Sequence, residues 1–445
     1  MMARIPEQAL RVLPYRVGQT LEAAGVGAAQ RLCCALSGGI DSVVLLDVLA
    51  SAQARYGFSL EAAHVHHGLN PAADDWAAFC AGLCRARNLP LQLFRVAVAR
   101  DHPDGLEAAA RHARHAALAQ LDCDWLVLGH HRDDQAETVL FRLLRGAGVR
   151  GAAAMRAIAP GADGHIGKLR PLLTNSRAEI HAYAQARGLR WVDDDSNGDP
   201  RFARNDLRLR LIPTLETSFP GARATLARAA THFGEAATLL DELAALDSEM
   251  AAEGNDAFTH ALLLRLSDAR LANLLRWRIR TLGGLAPSAA RLTEALRQLR
   301  TVDGPLRLPL GELVCYSYRG RVWLAPPLSA PPAAQAWQPG AGTSAWAGGA
   351  IDCHAATGEG IAAAALAKAH CRFTTRPPGL KLRLSAEQPA RHFKDLCQQA
   401  GIPGWLRDHL PVLEVDGQVA WVGGIGTDVA YACAAGAAGW RLVFR

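Results

Sequence analysis

The sequence lacks the features of a membrane-bound or exported protein. None of its apolar runs approaches the roughly 20 residues needed to cross a bilayer, and its N-terminus has no apolar signal-peptide core. We therefore expect a cytoplasmic protein with no membrane partner. Its 445 residues are enough for two or three domains with cores of ordinary size.

The ten cysteines include no Cys-x2-Cys pair of the zinc-binding type. Cys33 and Cys34 lie in an apolar run, and Cys80 and Cys84 have the spacing of one helix face. This pattern predicts reduced thiols, most of them buried. It also argues against sulfur-carrier or iron–sulfur chemistry, which needs suitably paired cysteines.

The sequence also lacks the common phosphate-binding pattern Gly-x4-Gly-Lys-Ser/Thr. Instead, the apolar run 32–36 leads into Ser-Gly-Gly-Ile-Asp-Ser and then into an apolar helix, so it predicts a buried parallel strand. Two glycines let backbone N–H groups approach phosphate oxygens, and the following helix N-terminus favours an anion. The residues expected to bind a nucleotide are Ser37, Gly38, Gly39, Ile40, Asp41 and Ser42.

Strands and helices alternate along the chain from this loop to about residue 130. The predicted strands are 60–66, 91–98 and 125–129, and the predicted helices are 73–88 and 106–121. This order predicts an α/β fold with a doubly wound parallel sheet, whose ligands bind at the carboxyl ends of the strands. Polar residues follow two of these strands, at 64–68 and 129–138. We therefore expect both clusters to join the 37–42 loop in one site.

The composition changes near Pro220, where long Ala/Leu/Arg helix patterns begin. We predict four regions: a catalytic domain over 1–219, a mainly helical domain over 220–328, a Pro/Gly/Ala-rich linker over 329–365, and a small α+β domain over 366–445.

A net charge of +6, with 48 lysines and arginines, allows a polyanionic partner. Five arginines surround Trp277, at positions 265, 270, 276, 278 and 280. Their spacing fits a solvated helix face and a nucleic-acid surface equally well. We predict that the chain beyond residue 220 orients an RNA and does no chemistry, because it has no cluster of titratable groups after a strand.

Several strings resemble those of the tRNA(Ile)-lysidine synthetases, a family of ATP pyrophosphatases. They are the 37–42 loop, His-Val-His-His-Gly-Leu at 64–69, Gly-His-His-Arg-Asp-Asp-Gln-Ala-Glu-Thr at 129–138, Leu-Leu-Arg-Gly-Ala-Gly at 143–148, Arg-Pro-Leu-Leu at 170–173, the segment 195–205, and the C-terminal strings 393–398 and 401–407. The resemblance covers nearly the whole chain. Two positions depart from it, since Asn70 stands where many members have arginine and Asp395 where a second lysine is common.

The resemblance implies a PP-loop domain of the adenine-nucleotide hydrolase type and an ATP-dependent ligase. In that reaction the wobble cytidine of a CAU anticodon in tRNA(Ile) is activated at carbon-2 by adenylylation and then attacked by the ε-amine of free L-lysine. AMP and pyrophosphate leave. Donors for the phosphates come from the 37–42 loop, and Asp41 is the expected Mg²⁺ ligand.

The same chemistry assigns roles to other residues. A lysine ammonium needs acidic partners, which Asp134 with Glu137, or Asp133 with Glu137, supply on one helix face. His130 is the expected proton acceptor, and Arg111 and Arg114 are expected to stabilise developing charge. Further expected substrate contacts are Arg204, Asn205, Arg208 and Lys394. For the histidines near position 66, a structural role and direct contact are equally consistent with the sequence.

Three other functions were weighed. A tRNA thiolase activates the same carbon but needs paired cysteines, and an amidotransferase-linked synthetase needs a glutaminase domain for which the segment before the loop is too short. A tRNA-binding scaffold with a dead ATP site conflicts with the intact 37–42 string. The sequence leaves open whether the chain forms a homodimer.

Overall fold

The computed structural model describes residues 4–99, 101, 105–161, 165–193, 203–253, 257–302 and 304–445. Its contacts divide the chain into two compact units, of which the first ends at Leu240 and the second begins at Asp241. This division lies inside one long helix, Ala222–Ala251. The boundary near residue 220 therefore stays a prediction.

The first unit contains a six-stranded sheet in the order β3-β2-β1-β4-β6-β5. Its strands are β1 (Arg31–Ala35), β2 (Ser59–His66), β3 (Leu91–Arg95), β4 (Trp125–Val127), β5 (Ile158–Ala159) and β6 (Gly167–Leu169). All neighbours are parallel except β5, which runs antiparallel to β6. The predicted α/β fold with a parallel sheet is confirmed.

The helices of this unit follow the predicted alternation. They are α1 (Arg4–Ala23), α2 (Ile40–Tyr56), α3 (Ala73–Arg85), α4 (Leu106–Leu118), α5 (Arg132–Leu144), α6 (Val149–Ala152), α7 (Arg177–Ala186), α8 (Ala203–Asp206), a π-helix (Leu207–Leu211), α9 (Ile212–Ser218) and the start of α10 (Ala222–Ala251). Helix α2 ends at Gly57, whose φ of +77° is the left-handed conformation that glycine adopts most easily.

Strand β1 is buried on both faces, which explains its unbroken apolar sequence. Leu32 and Cys34 pack in the core that includes residues of α1, α2 and α7, while Cys33 packs with Leu118 and Leu126 on the other side. Successive side chains of a strand point to opposite faces, so helices cover both sides of the sheet. The carboxyl ends of β1, β2 and β4 therefore lie at one edge, where their loops meet.

The second unit begins with helices packed on a sheet. Helices α11 (His260–Leu263), α12 (Asp268–Thr281) and α13 (Ala289–Thr301) accompany a sheet in the order β7-β8-β11-β10-β9. Its strands are β7 (Ala252–Glu253), β8 (Ala257–Thr259), β9 (Leu306–Leu310), β10 (Leu313–Tyr318) and β11 (Arg321–Ala325). The region is thus helical as predicted, with a sheet that the sequence showed only in part.

The remaining elements are mainly strands. They are β12 (Gln335–Ala336), β13 (Gly342–Trp346), β14 (Gly349–Thr357), β15 (Ile361–Ala362), α14 (Ala363–Leu366), β16 (Cys371–Thr374), β17 (Lys381–Leu382), β18 (Arg391–His392), α15 (Phe393–Gln399), a 3-10 helix (Gly404–His409), β19 (Val412–Val415), β20 (Gln418–Val422), β21 (Gly426–Thr427), a second 3-10 helix (Val429–Tyr431) and β22 (Ala438–Phe444). They form sheets in the orders β12-β16-β19-β20-β21, β13-β14-β22-β15 and β17-β18.

The predicted linker over 329–365 is wrong, because strands β12 to β15 lie within it. Strand β14 pairs with β22 over seven residues, from Ile351 with Phe444 to Thr357 with Ala438. Trp346 of β13 is only 1% exposed and packs in the C-terminal core. The Pro/Gly/Ala composition contains no information about this strand partner, which lies about ninety residues further along the chain.

No helix in the described ranges is both long and apolar enough to cross a membrane.

Candidate active site

The loop after β1 is stabilised from within by Ser42. Its hydroxyl oxygen accepts hydrogen bonds from the backbone N–H groups of Ser37 and Gly38, each at 3.2 Å, and the hydroxyl donates to the Gly39 carbonyl at 2.9 Å. Ser42 is 6% exposed. Its side chain therefore shapes the phosphate loop from inside, whereas the sequence predicted a direct nucleotide contact.

Two glycines allow close packing around this loop. Gly38 has a φ of +92°, and a Cβ there would lie 2.8 Å from the Val192 Cγ2 atom. A Cβ on Gly129, in the loop after β4, would lie 3.2 Å from the Asp41 carbonyl carbon and 3.3 Å from the Ser42 nitrogen. Only glycine lets the loop after β4 approach the first turn of α2 so closely.

Asp41 stands where these two loops meet. Its Oδ1 atom is buried without a hydrogen-bond partner among the described residues and lies 3.7 Å from His131 Nε2. Burial raises the pKa of Asp41, and the neighbouring His131 opposes that rise. No group of three His, Cys, Asp or Glu side chains in the described ranges could hold a metal ion. A cation here would need phosphate oxygens beside Asp41, which is the usual arrangement for Mg²⁺.

Helix α5 begins at a capping box formed by His131 and Asp134. The Asp134 N–H donates to His131 Nδ1 at 3.3 Å, and the His131 N–H donates to Asp134 Oδ2 at 3.0 Å. Burial would raise the pKa of Asp134, but His131, His130 and Arg208 outweigh it and the pKa is lowered. Asp134 is therefore an anion at neutral pH.

His130 is a neutral imidazole at physiological pH. Burial lowers its pKa to about 4, against the opposing charge of Asp134. Its Nδ1 atom is buried and has no hydrogen-bond partner among the described residues. A neutral imidazole with an unused ring nitrogen is able to accept or donate a proton.

The acidic pair of α5 is occupied by an arginine from the π-helix. Arg208 Nε donates to Glu137 Oε1 at 2.7 Å, and its Nη2 atom donates to Glu137 Oε2 at 2.9 Å and to Asp134 Oδ1 at 3.1 Å. Arg204 Nε lies 3.5 Å from Glu137 Oε2. Glu137 is 3% exposed. The carboxylates predicted to hold a lysine ammonium thus already hold a guanidinium.

One cavity of about 800 Å³ brings most of the predicted residues together. The predicted site residues that line it are Ser37, Gly39, Ile40, Asp41, Ser42, Arg114, His130, Asp134, Asn205 and Arg208. Residues 64–70 also line it, so the predicted convergence of the three polar clusters is confirmed.

Other predicted residues do not line this cavity. Gly38 forms the loop behind it, and Glu137 and Arg204 lie behind Arg208. Asp133 faces away, with its Oδ2 atom 3.5 Å from Arg223 Nε. The remaining two are Arg111, on an exposed face of α4, and Lys394, exposed on α15 in the second unit.

The three histidines at the carboxyl end of β2 have different environments. The ring nitrogen Nδ1 of His64 lies 2.8 Å from the Leu36 carbonyl oxygen, and His66 Nε2 lies 3.3 Å from Asp74. His64 and His66 thus each have a polar partner in the protein, and both also line the cavity. The Nδ1 atom of His67 is buried without a partner among the described residues, and burial together with nearby Arg114 lowers the pKa of His67.

Two features of the site were missed from the sequence. His131 and Arg177 both line the cavity and, together with Arg208, oppose the rise in the pKa of Asp41. The sequence signal for Arg177 was the Ser-x-x-Glu capping box at Ser176, which places Arg177 at the start of α7.

The second missed feature is the pair Arg142 and Arg170, which extend the predicted Arg111, Arg114 and Arg204 into a group of arginines that repel one another. Burial and the charges of neighbouring arginines lower the pKa of Arg142 and Arg170. The members of this arginine cluster are Arg111, Arg114, Arg142, Arg170 and Arg204. Such a concentration of positive charge fits a polyanion.

The string 195–205 is only partly described, because residues 194–202 lie outside the described ranges. The neighbouring Asp193 lines the cavity.

Comparison with known proteins covers nearly the whole chain. Residues 13–215 match the family model of the PP-loop domain, residues 260–323 that of the TilS substrate binding domain, and residues 371–444 that of the TilS substrate C-terminal domain. The chain is 54% identical over 427 residues to a tRNA(Ile)-lysidine synthase of Aromatoleum aromaticum, covering 96% of this chain and 100% of that protein. It is 53% identical over 421 residues to one of an Azoarcus species, covering 95% and 93%. Among solved structures, the U34-tRNA thiolase NcsA of Methanococcus maripaludis superimposes with a TM-score of 0.44 at 18% identity, over 52% of this chain and 80% of that one.

Proposed function

This chain belongs to the tRNA(Ile)-lysidine synthase family, and we propose that it ligates free L-lysine to carbon-2 of the wobble cytidine in the CAU anticodon of tRNA(Ile). The reaction consumes ATP and releases AMP and pyrophosphate. The observation that carries the proposal is the meeting of a phosphate loop, a buried acidic pair and a neutral histidine at one cavity.

ATP binds with its phosphates on the 37–42 loop and at the N-terminus of α2, where backbone N–H groups and the helix dipole favour negative charge. Asp41 fits Mg²⁺, because its Oδ1 atom is buried without a hydrogen bond and phosphate oxygens would complete the ligand set. When bound, Mg²⁺ neutralises phosphate charge and so assists departure of pyrophosphate.

In the first step the cytidine O2 atom attacks the α-phosphorus of ATP, and the bond to the bridging oxygen of pyrophosphate breaks. Arg114, on the cavity wall, is placed to stabilise the charge that develops on the phosphoryl oxygens. Arg111, Arg142 and Arg170 of the arginine cluster balance the phosphates of the anticodon strand.

In the second step the lysine ε-ammonium first releases a proton to water, the neutral ε-nitrogen bonds to carbon-2, and AMP leaves with the original O2 atom. The attacking nitrogen becomes strongly acidic once it has bonded to carbon. His130 accepts its proton, because burial keeps the imidazole neutral and leaves a ring nitrogen unused. Free lysine ammonium is a far weaker acid than this intermediate, so the low pKa of His130 suits the later proton transfer.

Lysine recognition uses both signs of charge in the α5 and π-helix contact. Asp134 and Glu137 suit an ammonium group, and Arg204 and Arg208 suit a carboxylate. Without lysine these groups satisfy one another. Lysine carries both an ammonium and a carboxylate. On binding, its ammonium replaces the arginines as the partner of Asp134 and Glu137, and its carboxylate replaces these acidic groups as the partner of Arg204 and Arg208.

The second unit binds the tRNA. Helix α12 buries Leu271, Leu274 and Ile279 on one face, and Arg276 on the opposite face is exposed. Two arginines of this helix are already ion-paired, Arg270 with Asp247 and Arg280 with Asp241. Exposed charges elsewhere in the unit must therefore supply part of the attraction to RNA phosphates.

A thiolase function has no support in the site. All ten cysteines are free, and all except Cys433 are buried. Burial raises the pKa of Cys80 to about 12, and such a thiol is a poor sulfur carrier. We place the reaction in the cytoplasm. Homodimer formation stays a prediction, which sedimentation of the full chain tests.

The direct test is incubation of the full chain with ATP, labelled lysine and a tRNA(Ile) transcript that has a CAU anticodon, followed by nucleoside mass spectrometry. We expect lysidine at the wobble position, with one AMP and one pyrophosphate formed per nucleoside. A parallel reaction with a sulfur donor is expected to give no thiolated cytidine. Absence of lysidine with intact ATP binding would contradict the proposal.

A further inference from the structure

The second unit contains a cavity of about 580 Å³ that the proposed chemistry does not use. It lies between the β10–β11 hairpin and the segment 400–406. Four aromatic side chains line it, and we call it the aromatic cavity. These side chains are Tyr316, Tyr318, Trp323 and Trp405.

The four rings form a cluster centred on Trp405. Its ring stacks on Tyr316 with the centroids 4.7 Å apart and an interplanar angle of 27°. It meets Tyr318 edge-on at 6.1 Å and Trp323 edge-on at 6.2 Å. Tyr316 and Tyr318 are buried, whereas Trp323 and Trp405 are half-buried. The two indoles therefore present aromatic surface to a ligand.

The rim of the cavity is positively charged. Arg319, Arg321 and Glu253 lie there, and Arg321 Nε donates to Glu253 Oε1 at 2.8 Å. The Arg319 guanidinium lies 5.5 Å from the centre of the Tyr318 ring and donates to the Gln398 carbonyl. The charges of Arg321 and Glu253 cancel each other. The net positive charge of the rim therefore comes from Arg319.

Arg319 occupies a turn position that suits a smaller residue. It connects β10 to β11 together with Gly320, and both have positive φ angles, +48° and +75°. A two-residue turn of this kind is best served by Asn-Gly or Gly-Gly. The same pair of positive φ angles occurs at Ala347–Gly348 and Asp416–Gly417, so the turn alone assigns no role to Arg319. Its place at the cavity rim rests on its contact with the Tyr318 ring.

One buried polar group in the cavity wall lacks a partner. Tyr316 is 3% exposed, and its hydroxyl makes no hydrogen bond within the described residues. Buried hydroxyl groups are almost always hydrogen-bonded, so an unsatisfied one is a reason to look for a ligand. A ligand that displaces the Trp405 ring from Tyr316 would bring a polar edge to this hydroxyl.

We propose that the aromatic cavity binds an unpaired nucleobase of the RNA substrate, stacked on the indole ring of Trp323 with its edge toward Trp405, and with the adjoining phosphate on Arg319. Aromatic rings and arginine planes are the usual receptors for unstacked bases. A volume of several hundred cubic ångströms accommodates one nucleotide. The inference rests on the proposed function in one respect, namely that RNA is the substrate.

The test measures binding of a labelled single-stranded tetraadenylate to the full chain by fluorescence anisotropy. We expect saturable binding that unlabelled tetraadenylate reverses and that a blunt RNA duplex of equal phosphate content reverses poorly. Trp323→Leu is expected to weaken the affinity by about 5- to 100-fold, since it removes one stacking face. Trp337→Leu is the matched control, because Trp337 is also half-buried in this unit but packs against Phe373.

A second variant, Arg319→Gly, tests the charged rim of the cavity without destabilising the fold. Glycine adopts the turn conformation without strain, so the variant should melt at the wild-type temperature or above it. We expect tetraadenylate binding to be about 3- to 10-fold weaker. The slope of log affinity against log salt concentration should also fall by about one, which corresponds to the loss of one phosphate contact.

Three outcomes would overturn the proposal. The first is no tetraadenylate binding by the wild type, and the second is equal affinity of the Trp323→Leu and Trp337→Leu variants. The third is a dimer that Trp323→Leu dissociates, which would make the aromatic cavity an interface between two copies of the chain. Lysidine formation is measured separately, so failure of the proposed ligase activity is distinguishable from failure of this site.

Discussion

Replacement of Glu137 by glutamine tests the acidic pair of α5. The side chain keeps its shape but loses the charge that accepts two hydrogen bonds from Arg208, at 2.7 and 2.9 Å. Glu137 is 3% exposed, whereas the Arg208 side chain is 26% exposed. After the change, Asp134 is the remaining anion in contact with Arg208.

The structure allows the size of two effects to be worked out. Breaking a fully buried ion pair from one side costs about 3–5 kcal/mol, and the partial exposure of Arg208 reduces this to about 2 kcal/mol of unfolding free energy. A lysine ammonium that loses a charged hydrogen-bond partner loses about 1.5–3 kcal/mol of binding energy. The apparent KM for lysine should therefore rise about 10- to 150-fold, and the KM for ATP by less than about threefold.

The assay is incorporation of labelled lysine into a CAU-anticodon tRNA(Ile) transcript, with lysine and ATP varied separately. Glu179→Gln is the control, because Glu179 also pairs with an arginine, Arg16 at 3.1 Å, but does not line the catalytic cavity. It should lower stability and leave the KM for lysine unchanged. Equal changes in both KM values for Glu137→Gln would refute an ammonium-binding role.

Three further predictions concern the other parts of the protein. Asp41→Ala should lower pyrophosphate release by at least about 100-fold without lowering the melting temperature, because the lost Oδ1 atom is buried without a hydrogen bond; a wild-type rate would contradict this role. The free energy of unfolding should fall as pH drops from about 6.5 toward 4, because unfolded histidine takes up a proton at its ordinary pKa while burial holds the pKa of folded His130 at about 4. Urea titrations should show that His130→Asn removes up to about 3 kcal/mol of this pH dependence, and an unchanged slope would exclude burial of a neutral His130. A chain ending at Leu240 should bind ATP normally but bind tRNA at least about tenfold more weakly. It should also discriminate poorly between isoleucine and methionine tRNAs that have a CAU anticodon. Modification of the correct tRNA with full efficiency and selectivity would contradict a tRNA role for the second unit.

The end point at Leu240 follows from the structure, since the sequence had placed the boundary near residue 220. Arg223, at the start of α10, has its Nε atom 3.5 Å from Asp133 Oδ2. Arg150 also donates to the Ala237 carbonyl at 3.3 Å. A cut at 220 would remove both contacts from the first unit. The sequence places the boundary too early because composition changes where the helix pattern begins, whereas the unit ends where packing ends.

The parts of the site that follow local rules were predictable. An apolar run followed by two glycines and a helix start is a local pattern, so the strand, loop and helix around residues 37–42 were predictable. The role of Asp41 stays a prediction. The alternation of strands and helices then placed residues 64–68 and 129–138 at the same sheet edge, because parallel strands end on one side.

The parts that depend on distant residues were not predictable. Asp133 and Asp134 are equally good partners of Glu137 by helix spacing, yet Asp134 lines the cavity and Asp133 pairs with Arg223. Arg208 meets Glu137 across 71 positions of sequence. Helix spacing places side chains on a face but does not say what packs against that face.

The sequence by itself determined the parallel sheet and the strand, loop and helix around residues 37–42, since each depends on hydrophobic period and turn chemistry over a few neighbouring residues. Only the tertiary structure decided that the Ser42 hydroxyl closes the loop from inside, that Arg208 occupies the acidic pair, and that residues 342–357 form strands. In each case a residue or strand contacts a partner that only the folded chain brings to it. A pattern of neighbouring residues in the sequence does not identify that partner.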